Sequence, residues 1–371
     1  MVDNASTDGS REYLENKFPD VHFKWNKENA GFSKASNSVL DEAKGSFILF
    51  LNPDTIIAED CLEKCLSFAS HQKNFGGLGI RMIDGSGKYL RESKRSFPSP
   101  SASFFKLSGI SSLFPRSGIF SSYYAGHLPE NENSEVEVLA GAFMLVSKKA
   151  IEKTGGFDED FFMYGEDIDL SYRIIQAGYK NFYFTESTII HFKGESTQRN
   201  SPDYNKHFYV AMELFLKKHT RGKIKDRFIR IAIAAARKLA SAKRNVSNKI
   251  STGFTGNETN TAAIFASHQR FNEILQMVKF SKKPLVIRGR IAIVPDDKNI
   301  SIGKLKDLDK LVKKKMFNHF ILSEGDASFE EIISIVQKFK SRLFFLFHAS
   351  GSNSIVGSNN KNEKGFFISI D

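Results

Sequence analysis

Tryptophan occurs once, cysteine twice and proline nine times in 371 residues. No apolar run approaches the ~18 residues that a membrane-spanning helix requires. Two cysteines exclude a disulfide framework and a four-cysteine zinc site. They are Cys61 and Cys65, four apart in a stretch that reads as helix, Glu59 to Ser70. They are expected as reduced, partly buried thiols on one helical face. The opening Met-Val-Asp-Asn-Ala-Ser has neither the basic nor the apolar region of a signal peptide. A cytoplasmic protein is therefore expected, one able to touch the inner face of the plasma membrane. In the C-terminal part, about Ala262 to Asp371, no Gly-x-Gly-x-x-Gly follows a strand, so that part is assigned no dinucleotide.

What is present fits a two-domain chain. Hydrophobic residues make up 41% of a length too great for one small core. The net charge of +11 favours anionic partners: nucleic acid, acidic lipid or phosphorylated substrates. Charge alone does not choose among them. The basic residues crowd into one stretch with no recognised nucleic-acid motif, so nucleic acid is not expected.

The N-terminal part alternates strand and helix: strand Val21–Trp25, helix Ser33–Ala43, strand Ser46–Leu51 and helix Glu59–Ser70. Arg95 to Pro129, rich in Ser, Phe and Pro, reads as a long loop with short helical turns. Then come strand Val136–Val146, helix Glu166–Ala177 closed by Gly178, strand Lys180–Ile190 and helix Asp203–His219. From Lys217 to Lys249 there are twelve Lys or Arg against one acid, Asp226. Phe228, Ile231, Ala235 and Leu239 share one face of a basic amphipathic helix there. Two readings stand for residues 228–244: a helix resting on an anionic membrane, or a solvated helix packed on the protein. Ser247 to Thr261 reads as a linker. A second alternation follows: helices His268–Phe280, Leu305–Lys315 and Phe329–Lys340, with strands Leu285–Val294, His319–Ser323 and Leu343–His348. The expected division is a first domain over 1–220, a basic helix and linker over 221–261, and a small Rossmann-like α/β domain of unassigned role over 262–371.

Five polar clusters could carry chemistry. Asp3-Asn4-Ala5-Ser6-Thr7-Asp8-Gly9-Ser10 is a turn of capping residues, or a ligand loop at the carboxyl end of a strand. In Asn29-Ala30-Gly31-Phe32-Ser33, with Asn37 beyond, Gly31 lets backbone approach a ligand and the next helix faces its N-terminus to a phosphate. The apolar strand Phe47–Leu51 runs straight into Asn52-Pro53-Asp54, which is a plain turn after a strand or a carboxylate placed at the sheet's ligand edge. Mg²⁺ takes such a carboxylate together with substrate phosphates. In Tyr164-Gly165-Glu166-Asp167 two acids open a helix, complementing its dipole or accepting a proton. His191 ends an apolar strand, as a structural histidine or a metal ligand.

Taken in order, these clusters with Gly141-Ala142-Phe143-Met144, Gly155-Gly156-Phe157-Asp158 and the run from His191 to Ser196 resemble glycosyltransferase family 2 over residues 1 to about 220. The branch they resemble is the rhamnosyltransferase-like enzymes of surface-glycan assembly. The resemblance implies a GT-A fold, a mixed sheet flanked by helices, and transfer with inversion. It implies a nucleotide-sugar donor (dTDP-rhamnose-like, UDP- or GDP-sugar) and a saccharide or lipid-linked saccharide acceptor. By the same resemblance Asp3 and Asn4 meet the nucleotide, and Asn29, Gly31 and Asn37 form the donor-side loop and helix. Asn52 and Asp54 stand in the D-x-D-type motif, and Asp54 holds Mg²⁺ or Mn²⁺ with His191. Asp167 is the general base, and Gly141 and Glu166 line the acceptor side. One departure is expected to matter: the family begins with a further strand and helix, roughly 30 residues by the usual size of such a unit. A truncated, non-catalytic homologue that binds rather than transfers is the alternative that this departure raises.

Overall fold

In the computed structural model the placed residues are 1–99, 101–102, 105, 110–192, 202–219, 260–280, 285–293, 301–357 and 366–369. The amphipathic stretch 228–244 and the linker lie outside the described residues.

Strand β1 (Val2–Asp3) and strand β2 (Lys24–Trp25) pair in parallel as a small unit of their own. The strand expected over Val21–Trp25 is confined to its last two residues. The first large sheet has six strands: β3 (Phe47–Leu51), β4 (Thr55–Ile56), β5 (Phe75–Ile83), β6 (Ser134–Val136), β7 (Phe143–Ser147) and β8 (Lys180–His191). Their order is β3-β7-β5-β8-β4, with β6 on another stretch of β8. Only β5 and β8 run in parallel; the other pairs are antiparallel, which makes the sheet mixed.

Two expectations change here. Val136–Val146 is not one strand, because β6 and β7 pair with different partners and residues 137–142 turn between them. The helix expected over Ser33–Ala43 is only Phe32–Asn37. Asn37 turns its side chain to the backbone of Phe157, donating to its oxygen and accepting from its nitrogen, both at 2.8 Å. Such side-chain bonding competes with continued helix. Helix Glu166–Gln176 lies against β5 at Gly76, where a Cβ would fall 2.4 Å from Ile174. Any larger residue there would lift the helix from the sheet.

The second sheet has seven strands: β9 (Thr261–Phe265), β10 (Val286–Ala292), β11 (Ser301–Lys304), β12 (His319–Ser323), β13 (Phe344–His348), β14 (Ser354–Gly357) and β15 (Phe366–Ser369). Their order is β11-β10-β9-β12-β13-β14-β15. The first five are parallel, and the chain winds outward from β9 in both directions. Buried apolar side chains of the two sheets form one continuous cluster, from Leu78, Phe182 and Phe184 to Ile332, Val336 and Phe345. Phe192 and Phe347 meet edge to face with ring centroids 4.9 Å apart. The Glu59 carboxylate accepts from the N–H groups of Phe329 and Glu330, at 2.7 and 3.2 Å. It thus caps helix Phe329–Lys338 of the second unit from the first.

Candidate active site

The chain passes from β3 into Asn52-Pro53-Asp54 and at once into β4, which pairs antiparallel with the end of β8 so that Thr55 faces His191. This pairing brings Asp54 to His191, with Oδ1 and Nε2 3.3 Å apart. Both side chains are largely buried, and among the described residues Asp54 Oδ1 and His191 Nδ1 have no hydrogen-bond partner. The Asp54 carbonyl is used, accepting from Phe192 N–H at 2.9 Å. A carboxylate oxygen facing an imidazole nitrogen is stable when a proton or cation lies between them. Among the described residues no third His, Cys, Asp or Glu joins this pair. The Asp54 oxygen suits Mg²⁺ or Mn²⁺, the His191 nitrogen suits Mn²⁺ better than the oxygen-seeking Mg²⁺, and such ions take their remaining ligands from substrate phosphates and water.

Asp167 stands in the first turn of helix Glu166–Gln176. Its Oδ2 accepts from Gly141 N–H at 3.1 Å and pairs with Arg95. Its Oδ1 accepts from Ile168 N–H at 2.8 Å. Gly141 begins the approach to β7, and its neighbour Ala142 accepts from Asn52 N–H at 3.0 Å. A chain of contacts therefore joins Asp167, Gly141–Ala142 and Asn52–Asp54 at one edge of the mixed sheet. Glu166, beside Asp167, is buried, and its Oε2 has no partner among the described residues. Burial, and then the charge of Asp167, push its carboxyl up to about 8.

Arg95 is the residue that motif reading missed. Its guanidinium donates to the Leu139 carbonyl at 2.6 Å as well as to Asp167. Burial works against its charge, but the Asp167 carboxylate and the Tyr123 phenol together outweigh burial and hold it above the usual arginine range. Burial likewise raises the Tyr123 phenol beside it. The one local signal was an arginine at the head of the Ser/Phe/Pro-rich excursion.

The nucleotide-side residues form a second cluster. Asn4 Nδ2 donates to Asn29 Oδ1 at 2.9 Å and to the Gly31 carbonyl at 3.3 Å, while Asn4 Oδ1 accepts from Ala30 N–H at 3.0 Å. Asp3 Oδ1 accepts from Ser6 N–H at 2.9 Å and closes the turn after β1. Gly31 has φ of 84°, and a Cβ there would lie 2.8 Å from the Phe162 ring. Asn37 is engaged in the clasp to Phe157 and reaches Glu159 Oε1 at 3.1 Å. The two thiols, expected partly buried, are fully so: Cys61 and Cys65 are free cysteines inside the core.

Comparison with known proteins finds similarity to glycosyltransferases. Residues 1–155 match the model of glycosyl transferase family 2, and residues 127–195 match one described as the N-terminal domain of galactosyltransferase. An N-acetylglucosaminyl-diphospho-decaprenol L-rhamnosyltransferase of Mycobacterium tuberculosis is 29% identical over 229 residues, 58% of this chain and 73% of the relative. Rhamnosyltransferase WbbL of Escherichia coli K12 is 31% identical over 153 residues, 40% of this chain and 53% of its own. A mannosyltransferase of Pyrobaculum calidifontis, solved with GDP-Man and Mn²⁺, aligns at a TM-score of 0.39 and 14% identity, over 68% of this chain and 70% of that one. Residues 1–155 thus carry the match to glycosyl transferase family 2, and the relatives similar to this part of the chain include rhamnosyltransferases.

Proposed function

We propose that the chain transfers a sugar, with inversion, from a nucleotide-sugar donor (dTDP-rhamnose-like, UDP- or GDP-sugar) to a hydroxyl of a glycan or lipid-linked saccharide in bacterial surface-polysaccharide synthesis. The observation that carries this reading is the Asp54–His191 pair, with an unpartnered carboxylate oxygen at the carboxyl end of β3. Asp54 and His191 would hold Mg²⁺ or Mn²⁺, which supplies charge neutralisation for the departing diphosphate. Asp3 and Asn4, with Asn29, Gly31 and Asn52, form the donor side. Asn37 serves that side indirectly, through its clasp on Phe157. Asp167 accepts the proton of the attacking hydroxyl, while Arg95 and the Gly141 N–H fix its carboxylate. Glu166 borders the acceptor side. Holding both substrates in line removes much of the entropic barrier, and a single displacement with inversion needs no covalent nucleophile.

We read residues 1–220 as the transferase domain, 221–261 as the basic linker and 262–371 as the second α/β domain. No described helix is long and apolar enough to cross a membrane. Residues 228–244 would bring the enzyme to an anionic inner leaflet, and salt-sensitive binding to anionic liposomes tests that part. The test of the reaction is nucleotide release from a panel of dTDP-, UDP- and GDP-sugars with saccharide acceptors. Release from one donor that requires Mg²⁺ or Mn²⁺ is expected; none from any donor contradicts the proposal.

A further inference from the structure

A cavity of about 510 Å³ lies between the two sheets and is lined from both. The first domain contributes Asp54 and Phe192, and the second contributes Leu322, Glu324, Phe347 and His348. Glu324 follows β12 and His348 ends β13. Ligands of open α/β sheets bind at such carboxyl ends, next to the point where the winding reverses. Here that point lies between β9 and β12. The second domain therefore turns the ligand-binding edge of its own sheet onto the carboxylate of Asp54.

The lining chemistry narrows the occupant. One Glu324 oxygen accepts from Ser350 N–H at 2.8 Å, and the other has no partner among the described residues. Burial holds the His348 imidazole below its ordinary range. Its two nitrogens face Ser323 Oγ and the Ser352 carbonyl, each at 3.2 Å. The Glu324 carboxylate beside this imidazole accepts from hydroxyls. The rings of Phe192 and Phe347 offer apolar walls for the C–H face of a ring. Hydroxyl acceptors combined with aromatic walls match a pyranose.

We infer that this interdomain cavity is a saccharide subsite beside Asp54, with Glu324 accepting from sugar hydroxyls, and that the second domain is thereby part of the substrate-binding machinery. The inference rests on the transferase reading only for the choice of a sugar over other polyhydroxylated rings.

The test uses the full chain and saturation-transfer NMR with free L-rhamnose, N-acetylglucosamine, D-mannose and D-galactose. Mn²⁺-dependent binding of dTDP, UDP and GDP is measured on the same samples. Val356 also lines the cavity yet is 40% exposed, so Val356→Trp fills the space from its rim. Wild type is expected to give a signal with at least one sugar. Val356→Trp should abolish it, and the isosteric Glu324→Gln should weaken binding about tenfold, the loss of one hydrogen bond to a charged acceptor. Nucleotide binding should be unchanged in both variants. No sugar signal in wild type, or full signal in Val356→Trp, overturns the subsite. If Val356→Trp does not fold, undiminished affinity in Glu324→Gln overturns it instead. Loss of metal-dependent nucleotide binding with sugar binding retained would count against the transferase reading and leave the subsite standing.

Discussion

Arg95 and Asp167 form an ion pair between the head of the long excursion and the first turn of helix Glu166–Gln176, and both side chains are nearly buried. The pair, with the Gly141 N–H, fixes the carboxylate that the proposed mechanism uses as base. Asp167→Asn keeps the shape and removes the charge. Transfer is expected to fall by about 10²–10⁴-fold, the usual contribution of a positioned base. Nucleotide affinity, measured by calorimetry, should persist. Turnover like that of wild type would refute the base assignment.

The same pair has a structural consequence. Arg95→Met leaves Asp167 buried beside an apolar chain, and breaking such a pair costs about 3–5 kcal/mol. The thermal midpoint should drop by several degrees; an unchanged midpoint would mean that water reaches Asp167 freely.

Glu166 gives stability a pH dependence of definite sign. The unfolded carboxyl ionises near its ordinary 4.5, whereas burial holds the folded one up to about 8. Between these values the unfolded chain has released a proton that the folded chain keeps, so rising pH favours unfolding. Below that window the group makes no difference, and above it the full penalty applies. Glu166→Gln should flatten the fall in stability from about pH 5 to pH 8, by an amount on the order of a few kcal/mol. Denaturant titrations of both proteins across that range provide the measurement. Parallel pH curves would contradict the burial of an unpartnered carboxyl.

Gly31 sits in the left-handed region, and a side chain there meets Phe162. Gly31→Ala should destabilise by about 1–3 kcal/mol, as strained backbone does. It should also weaken nucleotide binding, because the Asn4–Asn29–Gly31 network would shift. A melting temperature and nucleotide affinity equal to wild type would show that the loop relaxes freely.

The sequence revealed those parts of the fold that local patterns specify. Helix His268–Phe280 and strand His319–Ser323 lie where expected, because an apolar period and flanking polar residues bound each. Gly178, with φ of 90°, ends helix Glu166–Gln176 in the expected place. The split of Val136–Val146 was not legible, since both halves are apolar and the break is set by pairing with separate strands. The short helix Phe32–Asn37 was hidden for a related reason: its end is a side-chain bond to a residue 120 positions away. In the site, the nearness of Asp54 and His191 follows from the β4–β8 pairing, which only the three-dimensional sheet reveals. Arg95 could not be found locally, because its partners Leu139 and Asp167 are 44 and 72 positions distant.

The shared core predicts joint unfolding of the two sheets. Leu78, Phe182, Ile332 and Phe345 belong to one buried cluster, and Glu59 caps a helix across the boundary. Calorimetry should show a single transition. Glu59→Ala should lower it, by about 0.5–2 kcal/mol for a lost helix cap. Two separate transitions would contradict the continuous core.

The central claim is that Asp54 and His191 hold the cation that binds a nucleotide diphosphate. The direct measurement is the affinity of the wild-type chain and of Asp54→Ala for dTDP, UDP and GDP, each with and without Mn²⁺. Wild type should bind one of them tightly only when Mn²⁺ is present, and Asp54→Ala should lose that dependence. Equal wild-type affinity with and without the ion, or an undiminished Mn²⁺ effect in Asp54→Ala, would contradict it.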